Sequence, residues 1–477
     1  MNYRMIKNIR SWLLCFLSVF FLIPLITAAI YGESAAWSFL ISIGISLSVA
    51  LLLRIGKPKS TTLYAKEGFV IAALGWITIS IFGALPFVIS GAIPNYLDAL
   101  FEIVSGFTTT GSTVLADVEA LPKSLLIWRS FSNWIGGMGV LVFIMVFLPL
   151  CGATNMHIMK AESPGPTVSK MVPRVNQTAK ILYAIYLGMT FTMLIFLLFG
   201  GMSFFDALNT TLATAGTGGF GIRNDSMASF SPYVQVVVTV FMLLFSINFN
   251  SYYLIICKQL KDAFNLEVRS FIIIVVSATA IITANIAHMF SSVGEALRHS
   301  AFSVATVIST SGFATVDFDL WPTLSKTLLV LLMFVGACAG STGGGIKVSR
   351  ILIFAKGLAR ELDKMLHPRQ MKKVSIDKRT VDDSTVHSIN TYMICYILLF
   401  TASVALISLD GKDLVTTFTS VVATINNIGP GLSMVGPTCN FAHFSALSKI
   451  VLIFDMLAGR LELFPMLLLL YPATYKK

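Results

Sequence analysis

The sequence contains uncharged stretches that are long enough to cross a lipid bilayer, and they recur along its whole length. A membrane-spanning helix needs about 20 consecutive, mainly apolar residues. Besides the nine uncharged runs given below, a tenth span is expected at 447–470, although it carries Asp455, Arg460 and Glu462. Only 12% of the residues are charged, about half the usual share for soluble proteins, so the chain is predicted to be an all-α polytopic membrane protein and not a soluble enzyme. Nine uncharged runs reach the spanning length: 11–32, 34–53, 68–97, 130–159, 181–205, 226–257, 270–294, 327–346 and 384–409.

The basic residues lie mostly on one side of the predicted spans. With a cytoplasmic N-terminus, most of the 34 Lys and Arg residues fall into segments on the cytoplasmic side, and so do the last two residues, Lys476 and Lys477. Cytoplasmic loops of membrane proteins carry an excess of Lys and Arg, so both termini are predicted to be cytoplasmic. Acidic residues predominate on the opposite side, where they raise the local concentration of cations.

The residue types that enzymes use for metal or nucleophilic chemistry form no suitable pattern. Six Cys and six His residues are scattered singly, without a CxxC pair or an HExxH motif. The predicted spans contain neither paired catalytic carboxylates nor a nucleophile with an adjacent base. We therefore expect no enzymatic activity and no cofactor.

Four short segments of similar sequence lie between predicted spans, 93 to 117 residues apart. Each follows a stretch that is typical of a short helix, which begins near an acidic residue. Internal repetition of this kind indicates a repeated structural unit. We expect an N-terminal two-helix region at 1–66 and four units at 67–160, 161–258, 259–380 and 381–477. Alignment on the glycine of each segment matches four triplets: Thr109, Thr110 and Gly111; Thr217, Gly218 and Gly219; Thr310, Ser311 and Gly312; and Asn427, Ile428 and Gly429.

These four segments are too short or too polar to cross the bilayer. One glycine after a helix usually marks only the end of that helix, but four of them between spans indicate re-entrant loops. Non-helical backbone at membrane depth is tolerated where it is buried in protein or lines a water-filled cavity. Glycine permits dihedral angles that are closed to other residues, so successive carbonyl oxygens can replace the water shell of a cation. The twelve aligned residues are therefore predicted to form a selectivity filter, with their small polar side chains bonded behind it.

The sequences TTTGS around Gly111, TSGF around Gly312 and NNIGPG, the GSTGGGIK stretch from Gly340 and the intramembrane Arg460 together resemble the Trk/Ktr/HKT superfamily, most of all its TrkH-type members. The similarity covers residues 68–470, and the two preceding spans resemble an extra N-terminal pair in TrkH. It implies four M1-P-loop-M2 repeats around a central pore, a homodimer, and a bacterial inner-membrane location. Potassium is the implied permeant ion, held by backbone carbonyls of the filter residues, because all four filter positions are glycine. A TrkA-type cytosolic ring that binds nucleotide is the implied regulatory partner.

A glycine-rich stretch interrupts the predicted span 327–346. Each glycine in a helix interior costs about 1 kcal/mol relative to alanine, so the helix is predicted to unwind here. The resemblance implies that this stretch obstructs the pore beneath the filter and that Arg460 projects into the pore as a positive barrier. A phosphate-binding loop is disfavoured because Ile346 precedes the lysine. The predicted gate residues are Gly336, Gly340, Gly343, Gly344, Gly345, Lys347 and Arg460.

Arg460, within its predicted span, and Arg129, at the outer end of another, also have a purely structural interpretation. For Arg460 this is a salt bridge to Asp455 or Glu462. Arg129 lies near the outer end of its span and is expected to serve in packing or at an interface. The glycines that follow it indicate close contact between helices: Gly136, Gly137 and Gly139.

The alternative function is a proton- or sodium-coupled secondary transporter, because repeats and broken helices also occur in such carriers. Those proteins typically have inverted repeats and acidic residues near the bilayer midplane. Here the four units run in one direction and acids within spans are few, which favours a gated potassium pore. The basic segment 347–379 and the loop 151–180 are the expected docking surface for a cytosolic partner or acidic lipid.

Overall fold

The computed structural model describes residues 1–55, 65–139, 175–369, 373–377 and 379–475, and these residues are mainly helical. In this part of the chain six helices are long and apolar enough to cross a membrane, and a seventh crossing results if one bent pair counts as a single span. Most of the predicted span 130–159 and the unit boundary at 160 lie outside the described residues. The prediction of an all-α, multi-pass membrane protein is confirmed.

The N-terminal region consists of α1 (Tyr3–Phe20), α2 (Leu22–Tyr31) and α3 (Ala36–Leu53). Helices α1 and α3 pack against each other, and the Ser11 hydroxyl donates a hydrogen bond to the Ala50 carbonyl at 2.7 Å. Small side chains allow helices to approach closely inside a bilayer, which accounts for this contact.

Four short helices precede the repeated glycine segments, and longer helices alternate with them. After α3 the described helices are α4 (Ala65–Gly83), α5 (Leu85–Ile89), α6 (Tyr96–Phe107), α7 (Lys123–Gly137), α8 (Val175–Phe199), α9 (Phe204–Ala215), α10 (Pro232–Phe245), α11 (Phe249–Ile256), α12 (Leu260–Ala263), α13 (Leu266–Ile286), α14 (Val293–Ile308), α15 (Thr323–Val335), α16 (Val348–Leu366), α17 (Asp383–Ile407), α18 (Leu414–Ile425), α19 (Ala446–Arg460) and α20 (Phe464–Leu470). Strands β1 (Ser375–Ile376) and β2 (Arg379–Thr380) form a small antiparallel pair.

Helices α6, α9, α14 and α18 precede the four predicted filter segments, and we call them the pore helices after that prediction. All four begin in the same way. A polar side chain before each helix accepts a hydrogen bond from a backbone N–H of the first turn and so caps the helix. An acidic residue also lies at this end, where it interacts favourably with the positive end of the helix dipole. The acids that begin each repeat therefore stabilise the helix starts. The capping pairs are Asn95 with Leu97, Ser203 with Asp206, Ser292 with Glu295, and Asp413 with Thr416.

The pore helices are arranged in a closed ring. The helix that follows each glycine segment packs against the pore helix of the next unit: α7 against α9, α10 against α14, α15 against α18, and α19 against α6. Because the fourth contact returns to the first unit, the four glycine segments at the ends of the pore helices are brought to a common centre.

The predicted span 226–257 is wrong as a single helix. Helix α10 ends at Phe245, and α11 follows after three residues with a bend of 90°. The Asn248 side chain accepts a hydrogen bond from the Asn250 backbone N–H and thereby caps α11. The break is tolerated because the freed carbonyls of Phe245 and Ser246 accept hydrogen bonds from the glycine-rich stretch 336–347, which supplies partners that lipid cannot provide.

The predicted span 447–470 is also divided. Helix α19 ends at Arg460, and α20 begins four residues later. Glu462 and Leu463 have φ angles of 61° and 65°, and Pro465 lies in the first turn of α20. Proline has no backbone N–H and cannot continue a helix from the residues before it, so the helix has to restart here.

Gly136 of α7 tests the close packing of this fold. A Cβ atom at Gly136 would come closer than 3.0 Å to the Phe107 carbonyl oxygen. We expect Gly136→Ala to destabilise the protein by about 1–3 kcal/mol, because overpacking forces the backbone to move. Thermal unfolding of the purified protein in detergent measures the effect.

Gly188→Ala is the matched control, since Gly188 is exposed on α8 and no atom lies within 4 Å of its Cβ position. Alanine is the better helix former, so the unfolding temperature of this variant should equal or exceed that of the wild type. An equal loss in both variants would contradict the close-packing interpretation.

Candidate functional site

The four predicted filter segments have one backbone conformation in common. In each segment the aligned glycine and the residue two positions earlier have positive φ angles. The residue between them donates its backbone N–H to the carbonyl five residues earlier, at 2.8–2.9 Å. A bond of this type ends a helix and satisfies a terminal carbonyl, so the same turn ends all four pore helices. The φ angles are 56° and 86° for Thr109 and Gly111, 55° and 62° for Thr217 and Gly219, 59° and 86° for Thr310 and Gly312, and 55° and 104° for Asn427 and Gly429.

The four glycines form a ring, which we call the glycine ring, in which each glycine touches the next segment. A Cβ atom on any of them would come closer than 3.0 Å to a carbonyl oxygen of the neighbouring segment. The contacts pass through the four units in order and close on the first. Glycine is thus required both by φ and by the close approach of backbones. The contacts are Gly111 with Gly218, Gly219 with Ser311, Gly312 with Ile428, and Gly429 with Thr110.

A cavity of about 190 Å³ opens at the glycine ring. Near this cavity Asp117 accepts a hydrogen bond from the Asn224 side chain at 2.8 Å, and this bond keeps the pKa of Asp117 below its usual value. The carboxylate therefore stays ionised in mildly acidic solution. The lining of the cavity includes the four ring glycines and Ser112, Thr113, Arg129, Phe220, Arg223, Asn224, Ser226 and Phe441.

Side chains tie the fourth segment to the first. The Asn427 amide donates hydrogen bonds to the Thr110 hydroxyl at 3.0 Å and to the Met456 carbonyl at 2.9 Å. The Ser112 hydroxyl donates to the Gly429 carbonyl at 3.0 Å. Polar side chains next to the glycines therefore fix the position of the segments relative to each other, as their residue types predict.

Residues 336–347, which we call the intramembrane segment, are not helical. Helix α15 ends at Val335, so the unwinding predicted from the glycines is confirmed. The Gly344 backbone N–H donates a hydrogen bond to the Thr310 hydroxyl at 2.6 Å, and a Cβ on Gly344 would come closer than 3.0 Å to the Asn426 carbonyl. The segment thus lies directly against the ends of the third and fourth pore helices.

Hydrogen bonds hold the intramembrane segment to two neighbouring elements. The first is the break between α10 and α11, where the bonds are Cys338 to Ser246 at 3.0 Å, Phe249 to Gly340 at 3.0 Å and Thr342 to Phe245 at 3.3 Å, each from backbone N–H to carbonyl. The second is Glu267 of α13, whose carboxylate accepts from the backbone N–H groups of Ala339 at 2.7 Å and Ser349 at 3.1 Å. The segment is therefore bonded near both of its ends.

Lys347 at the end of the intramembrane segment is buried, with 2% of its surface exposed. Its ammonium group donates to the carbonyls of Gly343 and Gly344, the latter at 3.2 Å. An ammonium group offers three donors and no acceptor, so the segment folds its carbonyl groups around this charge.

Arg460 joins the intramembrane segment to the first unit. Its guanidinium donates to the Thr342 carbonyl at 2.8 Å, to the Gly137 carbonyl at 2.8 Å and to the Gly136 carbonyl. Gly136 and Gly137 end α7, where terminal carbonyls attract a cation. The charge thus lies between α7 and the segment.

The two carboxylates that the sequence suggested as partners of Arg460 make other contacts. Glu462 forms an ion pair with Arg350 of α16. Asp455 accepts a hydrogen bond from the Ser403 hydroxyl of α17 at 2.7 Å. Both carboxylates therefore link α19 or its end to neighbouring helices.

Two acidic residues near the predicted site are not among the residues that the sequence predicts for it. Glu267 lies in the first turn of a long helix, a common position for an acid, and gives no signal in the sequence. Glu102 forms a buried ion pair with Arg129 and was detectable, because it lies nine residues before Gly111 where the other units have Thr or Ser. Within the described residues no group of three or more His, Cys, Asp or Glu side chains forms a metal site.

Gly219 provides a direct test of the glycine ring. We expect Gly219→Ala to lose about 2 kcal/mol or more of stability, because alanine at positive φ is unfavourable and its Cβ would overlap the Ser311 carbonyl. The measurement is the unfolding temperature in detergent, together with the yield of folded protein.

Gly221→Ala in the same segment is the control. The nearest atom to a Cβ at Gly221 is 3.4 Å away, and this glycine is not among those with positive φ. Its unfolding temperature should be close to that of the wild type, as is usual where no close contact changes. Similar behaviour of the two variants would contradict the ring geometry.

Comparison with known proteins agrees with this architecture. The family model described as "TrkH: Cation transport protein" matches residues 38–473. The Trk system potassium uptake proteins TrkH of Halomonas elongata and Escherichia coli K12 are 33% and 34% identical to this chain, over 100% of both chains in each case. The crystal structure of the potassium transporter TrkH from Vibrio parahaemolyticus superimposes with a TM-score of 0.89 at 32% identity, covering 100% of each chain. The resemblance seen in the sequence is confirmed, and the chain belongs to the TrkH family of cation transport proteins, which are not enzymes.

Proposed function

We propose that this chain is a gated pore for the uptake of potassium ions. The glycine ring carries this proposal, since it brings backbone from four units to within contact distance around one cavity. The names of the similar proteins, Trk system potassium uptake proteins, support the choice of ion.

Potassium selectivity rests on the backbone of the four filter segments, Thr109–Gly111, Thr217–Gly219, Thr310–Gly312 and Asn427–Gly429. Their carbonyl oxygens replace the hydration shell of the ion. The C-terminal ends of the pore helices add partial negative charge at the same place. With two or three residues from each unit the filter is short, so it holds few ions at one time.

The gate consists of the intramembrane segment together with Arg460. The segment lies against the ends of the third and fourth pore helices, and its residues are not part of the cavity lining. Lys347 and Arg460 place two positive charges there, and a positive barrier hinders cations. Opening requires the segment to leave this position.

The chain lies in the bacterial inner membrane with both termini in the cytoplasm. It forms a homodimer with one pore in each chain, in which residues 67–160, 161–258, 259–380 and 381–477 are the four repeats around the pore. A TrkA-type cytosolic ring that binds nucleotide docks on the basic segment 347–379 and controls the gate. Helix α16 supports this arrangement, because it continues directly from the intramembrane segment.

The alternative is a carrier that couples cation uptake to protons or sodium. Asp455 favours it, since this acid is fully buried within α19 and buried acids in spans are typical of proton relays. Rubidium uptake that strictly requires a proton gradient, without single-channel steps, would support the carrier and contradict the pore.

Competition for rubidium uptake tests the proposed selectivity. We expect proteoliposomes containing the purified protein to take up rubidium, and external potassium to halve this uptake at a concentration at least about tenfold lower than sodium, which corresponds to ~1.4 kcal/mol. Empty liposomes are the control. Equal inhibition by sodium and potassium would exclude a potassium-selective filter.

Arg460→Gln tests the gate. The variant loses a positive charge and its bonds to the Thr342 and Gly137 carbonyls, so the basal rubidium flux per folded protein should rise by about threefold or more. Arg360→Gln is the control, because Arg360 on α16 pairs with Glu361 and Asp383 away from the segment. If the flux stays the same in Arg460→Gln, or rises equally in both variants, the gating role is wrong.

A further inference from the structure

A buried ion pair lies beside the first two filter segments. Glu102 of the first pore helix and Arg129 of α7 are 0% and 2% exposed, and the Arg129 Nε donates to the Glu102 carboxylate at 2.8 Å. Charges are removed from water at high cost unless they are paired and hydrogen-bonded, so a pair in this position needs further partners. Those partners come from the filter segments.

Glu102 forms hydrogen bonds with the residues that follow the first filter segment. Its carboxylate accepts hydrogen bonds from the Thr113 hydroxyl at 3.0 Å and from the Val114 backbone N–H at 3.0 Å. These residues follow Gly111 by two and three positions. Movement of Glu102 therefore moves the backbone just outside the first ring glycine.

Arg129 holds the equivalent part of the second filter segment. Its guanidinium donates to the Gly221 carbonyl at 3.1 Å and lies over the Phe220 ring, 4.2 Å from the centroid. Phe220 directly follows the second ring glycine, Gly219. One ion pair thus fixes the residues that directly follow two adjacent filter segments, which we call the filter exits. Gly111 of the first segment also touches the second.

The pair occurs at this position in only one of the four units. Nine residues before the ring glycine, the first unit has Glu102 and the other units have Thr210, Ser303 and Ser420. The other three units therefore have a hydroxyl group at this position, and the carboxylate of the first unit departs from the repeat.

We propose that Glu102 and Arg129 are positioning residues that set the discrimination between potassium and sodium, without contacting the ion. This inference rests on the proposed potassium pore. Discrimination depends on the spacing and stiffness of the coordinating carbonyls, and sodium, the smaller ion, is favoured when the segments can move closer together. The ion pair resists this movement because charge-assisted hydrogen bonds are about twice as strong as neutral ones.

The test measures the ratio of the sodium and potassium concentrations that halve rubidium uptake into proteoliposomes. This ratio does not depend on the amount of folded protein or on how often the pore is open. Glu102→Gln keeps the size of the side chain but removes its charge, and we expect the ratio to fall by about fivefold or more. An unchanged ratio would overturn the proposal.

Asp98→Asn is the matched control. Asp98 lies one turn before Glu102 on the same helix and forms an ion pair with Lys449 of α19 at 2.6 Å. The variant makes the same chemical change on the same pore helix, but away from the filter exits, and should keep the wild-type ratio. A fall in both variants would show that any charge loss on this helix has the effect, which would overturn the specific role of Glu102.

Thr113→Val covers the case in which Glu102→Gln does not fold. It removes the hydroxyl that donates to Glu102 and accepts from the Leu115 backbone N–H. The ion pair stays intact, so we expect a folded protein with a ratio lowered by about twofold. A wild-type ratio in Thr113→Val together with a misfolded Glu102→Gln would assign the pair to stability alone and overturn the proposal. A wild-type protein with no preference for potassium would instead contradict the proposed function itself.

Discussion

Close approach of four backbones is the constraint on which the rest of the structure depends. Each ring glycine lies so near a carbonyl of the next segment that a methyl group does not fit. This contact is possible only because the pore helices first satisfy their terminal carbonyls within their own turns. Backbone groups left without partners at membrane depth cost several kcal/mol each. Identical helix ends thus free the same short stretch of backbone in every unit to face its neighbours.

Outside the glycine ring the units differ from each other, and the elements in which they differ contact each other. The second unit has the break after Phe245, the third has the intramembrane segment, and the fourth has the end of α19 at Arg460. Thr342 connects all three, because its backbone N–H donates to Phe245 and its carbonyl accepts from Arg460. The fourfold repeat of the glycine ring is therefore accompanied by an asymmetric set of contacts. In these contacts the intramembrane segment of the third unit is bonded to the second and fourth units.

The features that the sequence predicts correctly are those that depend on local composition. The length of the uncharged runs predicts the spans, and the recurrence of glycine predicts the turns at Gly111 and Gly429. Neither signal depends on contacts between residues that are distant in the sequence. The break at Phe245 was missed because its carbonyl is satisfied by a residue almost a hundred positions later. The sequence indicates Glu462 as a partner for nearby Arg460, but in the structure Glu462 forms an ion pair with Arg350 of the distant helix α16. Hydrogen-bond and ion-pair partners that are distant in the sequence therefore determine where a helix within an apolar run ends.

The contacts of the intramembrane segment limit the ways in which the proposed gate can open. Its hydrogen bonds go mainly to backbone carbonyls and to Glu267, and water entering the pathway can replace such partners at small cost. A regulatory partner changes the population of the open state only by its difference in affinity for the two states, and a shift from 1:99 to 99:1 needs about 5.5 kcal/mol. Helix α16 begins at Val348, directly after Lys347, and Glu267 bonds to both sides of this junction. In the proposed regulation, a partner that binds α16 more tightly in a displaced position acts on the segment through this covalent connection, and the two hydrogen bonds of Glu267 oppose the displacement.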